Sequence, residues 1–205
     1  MSARATVVEG VRRVLSTKRP VPLPRSFYSR DAVEVARELL GKIVRHGETS
    51  GRIVETEAYL GVGDLAAHAA HGLTPRTRVI FGPPGHAYVY LNYGIHACLN
   101  LVAEPEGTAG CVLIRALEPL TGIDRMRERR GVERIENLAS GPGKLTKALG
   151  ITLAHNGGDV TRGPIVVCEG NADFEIETSR RIGITRSADL PLRFAVKGNR
   201  FVSRR

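Results

Sequence analysis

Residues 86 to 103, His-Ala-Tyr-Val-Tyr-Leu-Asn-Tyr-Gly-Ile-His-Ala-Cys-Leu-Asn-Leu-Val-Ala, constrain the fold more than any other stretch of the chain. Two arms alternate with period 2 around an Asn92-Tyr93-Gly94 centre, which predicts a β-hairpin and therefore an antiparallel sheet. Ala87, Val89 and Leu91 on one arm, with Ile95, Ala97, Leu99 and Leu101 on the other, make a side that can pack on a core. His86, Tyr88, Tyr90, His96, Cys98 and Asn100 make the opposite side. Asn92 and Gly94 suit a turn, and they bracket Tyr93 at the tip. A tyrosine there either folds back on the sheet or projects as a wedge into a partner.

A second run is β-prone yet acidic: Ile53-Val54-Glu55-Thr56-Glu57-Ala58-Tyr59. Strict alternation puts Ile53, Glu55, Glu57 and Tyr59 on one face. The bland reading is two carboxylates on the wet side of a half-exposed strand. The chemical reading is a cleft wall in which a general base stands beside an aromatic platform. Farther on, Cys111 to Leu117 reads as a strand with Arg115 inside an apolar run. A buried guanidinium needs a partner, and Glu57 is the attractive one, with a structural ion pair elsewhere as the alternative.

The remaining segments fit a mixed α+β domain. Asp31 and Glu34 resemble a capping box that opens a helix through Leu40, closed by Gly41. Lys42 to His46 and Arg52 to Leu60 read as paired strands around a turn at 47–51. Thr121 to Arg130 reads as a basic helix. Ser140-Gly141-Pro142-Gly143-Lys144 leads into another helix that ends at Gly150, and its free N–H groups could hold a phosphate. The glycine spacing is not that of a Walker A loop.

Charge narrows the partner. Thirty Lys and Arg against 21 Asp and Glu give a formal charge of +9. Such a surface attracts polyanions, and a basic footprint with an aromatic wedge and an aromatic pocket suits an unstacked nucleobase. Three cysteines, Cys98, Cys111 and Cys168, point away from a disulfide framework. His68 and His71 have i, i+3 spacing but no surrounding metalloprotease motif, so no metal is expected, and no cofactor. No apolar run approaches the roughly 18 residues that span a bilayer. A cytoplasmic monomer is expected, nucleoid-associated if the source is bacterial. Residues 1–24, Arg-rich and ending in Pro20-Val21-Pro22-Leu23-Pro24, read as a flexible basic arm ahead of one domain at 25–205. A non-catalytic nucleic-acid-binding module and a phosphate-ligand enzyme built on residues 140–144 remain alternatives on these grounds alone.

Several motifs in series then resemble one family. Glu55-Thr56-Glu57-Ala58-Tyr59-Leu60-Gly61, Ala66-Ala67-His68, Thr74-Pro75-Arg76, Pro84-Gly85-His86-Ala87-Tyr88-Val89-Tyr90, Tyr93-Gly94, Asn100, Arg115-Ala116-Leu117-Glu118-Pro119 and Ser140-Gly141-Pro142 are similar to the 3-methyladenine (alkyladenine) DNA glycosylases, in order from about Arg25 to Ser203. The resemblance implies a single α+β domain with a curved antiparallel sheet, flanking helices and a protruding hairpin that enters the minor groove of damaged double-stranded DNA. It implies hydrolytic excision of alkylated or deaminated purines, without strand nicking. Position by position, Glu57 matches the general base, and Arg115 and the backbone carbonyl of Ile182 match groups that hold the attacking water. Tyr59, His68 and Tyr90 match the side chains around the flipped base, Asn100 the residue that screens purines, and Tyr93 the intercalating wedge. Arg76 and Lys144 are expected, outside that carry-over, to contact the DNA backbone. Ile95 and Leu99 depart from a pattern in which methionine is frequent, and Asn92 is less typical beside the wedge; these departures bear on lesion range.

Overall fold

The computed structural model describes residues 21–171 and 173–203, so most of the basic arm expected at 1–24 lies outside the described residues. Pro22 and Leu23 already belong to the packed chain: Pro22 bridges Cys168, and Leu23 is buried and donates its N–H to Val167.

The elements run α1 (Arg25–Tyr28), α2 (Ala32–Glu38), β1 (Ile43–His46), β2 (Thr49–Leu60), β3 (Ala87–Asn92), β4 (His96–Val102), β5 (Gly110–Thr121), α3 (Ile123–Arg130), α4 (Pro142–Leu149), β6 (Ile165–Cys168), β7 (Ile176–Ser179) and β8 (Arg193–Val196). All strands join one curled antiparallel sheet in the order β3-β4-β5-β2-β1-β6, and β8 pairs with both β2 and β7. The fold is thus the single α+β domain with a curved sheet that the sequence led us to expect.

Local chemistry accounts for most boundaries. The Asp31 carboxylate accepts from the N–H groups of Val33 and Glu34, capping α2. That helix closes at Glu38, earlier than expected. The β1–β2 turn is tighter than the anticipated 47–51 stretch, since His46 pairs with Thr49 and only Gly47 and Glu48 connect the strands. Thr121 belongs to β5, not to the basic helix, because Gly122 turns the chain with positive φ before α3 begins. α4 starts with Pro142 in its first turn and ends on Gly150 in the left-handed conformation, as the spacing predicts.

Strand β2 organises the molecule. Along one edge it pairs with β5; along the other it pairs first with β1 and then with β8. The β2–β5 register shifts at Ile53/Glu55 and again at Glu55/Thr56. Such an irregularity bends a strand and re-aims its side chains. Strict alternation therefore fails at its start: Ile53 and Val54 both join the main core, beside α2 residues Val35 and Ala36 and α4 residues Leu145 and Leu149. From the bulge onward Glu55, Glu57 and Tyr59 do share one face, with Arg115 bonding both acids and Tyr59 bonding Glu57.

Candidate functional site

Neither β2 carboxylate is on a wet face. Glu55 and Glu57 are both fully buried, and each is ringed by donors. Glu57 Oε2 accepts from the Tyr59 hydroxyl at 3.0 Å and from Arg115 at 3.3 Å, while Oε1 accepts from the backbone N–H of Ile182 at 2.7 Å. The pairing expected for Arg115 is present, and it is shared: Arg115 Nε donates to Glu55 Oε1 at 3.0 Å. Ile182, singled out for its carbonyl, reaches Glu57 through its N–H. Burial raises the Glu57 carboxyl above the usual glutamate value, opposed by the Arg115 charge and the bonds from Ile182 and Tyr59. Three donors leave one of a carboxylate's roughly four acceptor directions open.

All three donors to Glu57 line a cavity of about 180 Å³. Tyr59, His68, Tyr88, Tyr90, Asn100 and Ile182 contribute to its wall, and Tyr93 stands at its edge. Glu57 lies just behind that wall. The hairpin supplies most of the aromatic side, because Tyr88 and Tyr90 alternate with core residues Ala87 and Val89 as the sequence pattern requires. Their rings stack at a centroid distance of 5.5 Å, and the His68 ring meets Tyr90 edge-on at 4.5 Å.

His68 sits in a short 3₁₀ turn, His68–His71, and is oriented by two partners. Arg76 approaches its Nε2 at 3.3 Å and Tyr88 Oη its Nδ1 at 2.9 Å. Since a guanidinium only donates, Nε2 must accept, which places the proton on Nδ1. Burial and the Arg76 charge push the imidazole pKa down to about 4, so the ring is neutral near pH 7. Among the described residues no group of three or more His, Cys, Asp or Glu side chains could hold a metal.

Asn100 is buried and donates to the Tyr88 carbonyl at 3.1 Å, which fixes its amide plane while its other N–H remains. Tyr93 is 83% exposed, so it does not fold back on the sheet. It and Gly94 both have positive φ, and the N–H of Ile95 returns to the Asn92 carbonyl. This left-handed geometry matches the twist of a tight hairpin but strains a tyrosine. Arg76 is exposed over the Tyr90 ring at 5.6 Å. Lys144 is exposed in the first turn of α4, in a groove shared with Tyr93, Ile95 and Lys147.

Sequence reasoning missed three participants. Tyr88 was visible on the polar side of the hairpin and inside the Pro84-to-Tyr90 motif, but neither gave it a role. Arg193 donates to Glu55 at 2.7 Å, and its signal was an arginine inside the apolar run Leu192-Arg193-Phe194, the same cue that exposed Arg115. Arg181 forms a fully buried pair with Asp64 at 2.6 Å and lies over the Tyr59 ring at 4.6 Å. No local pattern announces that pair, which joins residues 117 positions apart.

Among the described residues no helix is long and apolar enough to cross a membrane. A sequence model of the methylpurine-DNA glycosylase family matches residues 26–200. The chain is 53% identical over 191 residues to a protein of Methanoculleus marisnigri named "Putative 3-methyladenine DNA glycosylase", covering 89% of this chain and 99% of that one. Identically named proteins of Bradyrhizobium diazoefficiens and Rhodopseudomonas palustris are 51% and 52% identical, covering 89% of this chain and 91% and 88% of theirs. The matched span takes in every described strand and helix except the first residue of α1, and with it the whole buried-acid cavity; the chain belongs to the methylpurine-DNA glycosylase family.

Proposed function

We propose that this protein removes alkylated or deaminated purines from duplex DNA by flipping the damaged nucleotide into the aromatic cavity and hydrolysing its N-glycosidic bond. One observation carries the reading: a buried carboxylate, Glu57, is held by Tyr59, Arg115 and the Ile182 N–H directly behind a cavity walled by tyrosines and a neutral histidine. A purine stacked in a duplex cannot reach such a recess, so the nucleotide must leave the helix, at a cost of about a few kcal/mol that is smallest for weakened pairs. Tyr93, exposed at the hairpin tip, fills the gap.

In the cavity, Tyr59, Tyr90 and His68 bracket the base by stacking and edge contact. Arg181 over Tyr59 and Arg76 over Tyr90 already occupy part of the attraction those rings offer a cation. Stacking area is therefore the general part of recognition, and cationic charge on a methylated base adds to it. The remaining N–H of Asn100 repels a purine that presents an amino group there.

The C1′–N bond breaks with its electron pair leaving on the base, and positive charge spreads over the sugar. Glu57 stabilises that charge and takes a proton from water as the water oxygen bonds to C1′. A cationic methylpurine departs neutral without a proton; a neutral base takes one up from solvent water, and the proton accepted by Glu57 returns to solvent. Among the described residues no lysine lines the cavity, which supports direct hydrolysis over an imine route. Arg76 and Lys144 contact the DNA backbone, with an electrostatic, salt-dependent share of affinity.

The test incubates the protein with duplexes carrying 3-methyladenine, 7-methylguanine, hypoxanthine or ethenoadenine, then uses hot alkali to reveal abasic sites. Alkali-dependent breaks at the lesion are expected. Salt-dependent binding with no released base, or a borohydride-trapped covalent adduct through lysine, overturns the reading.

A further inference from the structure

Strand β2 carries two buried carboxylates, and the proposed reaction uses one. Glu55 is as deeply enclosed as Glu57, and four donors hold it. Its Oε1 accepts from Arg115 Nε at 3.0 Å, Arg193 Nε at 2.7 Å and the Ser203 hydroxyl at 2.9 Å. Its Oε2 accepts from the Ser203 N–H at 2.7 Å. Arg193 stands opposite Glu57 in the β2–β8 register, yet turns its guanidinium diagonally to Glu55 and anchors the other end on Ser179 Oγ at 2.8 Å.

Arg115 is therefore divided between two acids, and its contact with Glu55 is the shorter. We propose that Glu55, held by Arg193 and Ser203, is a positioning residue that sets how much of the Arg115 charge reaches Glu57. The inference rests on the assignment of Glu57 as the base. A purely structural role would need only one carboxylate to satisfy Arg115, and buried ion pairs are poor stabilisers compared with apolar packing. Here two carboxylates and two guanidiniums form one enclosed cluster of balanced charge, with one of its arginines in the cavity wall. Changing the charge of either remote member unbalances what Glu57 feels at short range and low dielectric.

The groups facing Glu57 are Glu55 and Tyr59 from β2, Arg115 from β5, Arg193 from β8, and Arg181 with the Ile182 N–H from the segment ahead of β8. Loss of negative charge at position 55 leaves Arg115 to Glu57 alone and removes a neighbouring negative charge, which keeps Glu57 ionised to lower pH. Loss of positive charge at position 193 leaves Glu55 to claim Arg115, and Glu57 protonates more readily. The two substitutions act with opposite signs, which general damage to the fold would not produce.

The experiment measures single-turnover base release against pH for the full chain and for Glu55→Gln, Arg193→Gln, Arg193→Lys and Ser203→Ala. The acid limb should move down by roughly one pH unit in Glu55→Gln and up by roughly one in Arg193→Gln. Arg193→Lys, which keeps the charge, should return it toward the parent. Ser203→Ala, at a buried hydroxyl, removes one donor from Glu55 and a 3.4 Å acceptor from Arg115 without deleting a buried charge, so it should fold even where the charge-changing substitutions do not. With Glu55 drawing more on Arg115, its limb should move up by a smaller amount. Affinity for lesion duplex should stay within about twofold throughout, since none of these groups is placed against DNA. Limbs that stay fixed, or that move the same way in Glu55→Gln and Arg193→Gln, overturn the proposal. If those two do not fold, an unmoved limb in Ser203→Ala does so. A parent protein that releases no base from any lesion duplex instead overturns the assignment of Glu57.

Discussion

The floor of the cavity and the tip of the hairpin solve opposite problems. At the floor, Glu55, Glu57, Arg115 and Arg193 are charged groups hidden from water, and each has partners within hydrogen-bonding distance. At the tip, Tyr93 and Ile95 are apolar groups left in water, 83% and 73% exposed, on a turn that forces a tyrosine to positive φ. Charge inside and hydrocarbon outside reverse the usual arrangement of a folded chain. In the proposed reaction the floor would hold atoms in place for chemistry, while the tip would offer apolar surface to the DNA. Both are costly locally, and the continuous core beneath α2 and α4 sustains them.

The sharpest way to break this contrast is at the floor. Glu57→Gln should keep lesion-duplex binding and lose base release by about 10²- to 10⁴-fold or more in single-turnover assays. A variant excising at near-parent rate would remove the floor from the chemistry. A second test concerns pH in the parent protein. Glu57 must be ionised to accept a proton, and burial raises its pKa, so excision should fall as pH drops through a value above that of an ordinary glutamate. An acid limb at the ordinary carboxylate position would mean that Arg115 and the Ile182 N–H outweigh burial.

The tip makes subtler predictions. Tyr93→Ala should weaken lesion-specific binding and base flipping while leaving the cavity unaltered, read by fluorescence of a base analogue at the lesion. Tyr93→Asn, which tolerates positive φ, should relieve about 1 kcal/mol of turn strain and raise Tm by roughly 2–4 °C, while also losing flipping. If Tyr93→Asn gains neither stability nor a binding defect, the strained turn has no functional cause. The smallest effect is expected at Lys144→Ala, which should weaken lesioned and undamaged duplexes alike and reduce the salt slope by about one.

The hairpin was legible because its information is local. Period-2 alternation, Asn92 and Gly94 were enough to put Tyr88 and Tyr90 opposite Ala87 and Val89. The Asp31 cap and the Gly150 stop were legible for the same reason. At the floor, local periodicity gave the common face of Glu57 and Tyr59, and the rule that a buried arginine needs an acid supplied Arg115. It failed at Ile53, where a register shift that depends on the partner strand breaks the alternation. Glu55 was indistinguishable from a solvated strand carboxylate, since its partners Arg193 and Ser203 lie 138 and 148 residues away. Residue type said that both acids deserved a reason, but only the folded chain distinguishes the acid facing the cavity wall from the one behind it.

That separation along the chain has a consequence for how the protein comes into being. During synthesis, β2 is made long before Arg193 and Ser203, so until those residues appear Glu55 has no route to its native set of donors. On the proposed reading the site around Glu57 matures only after residues 193–203 have been made, and nascent chains that have built β1 to β5 should remain inert until that stretch docks.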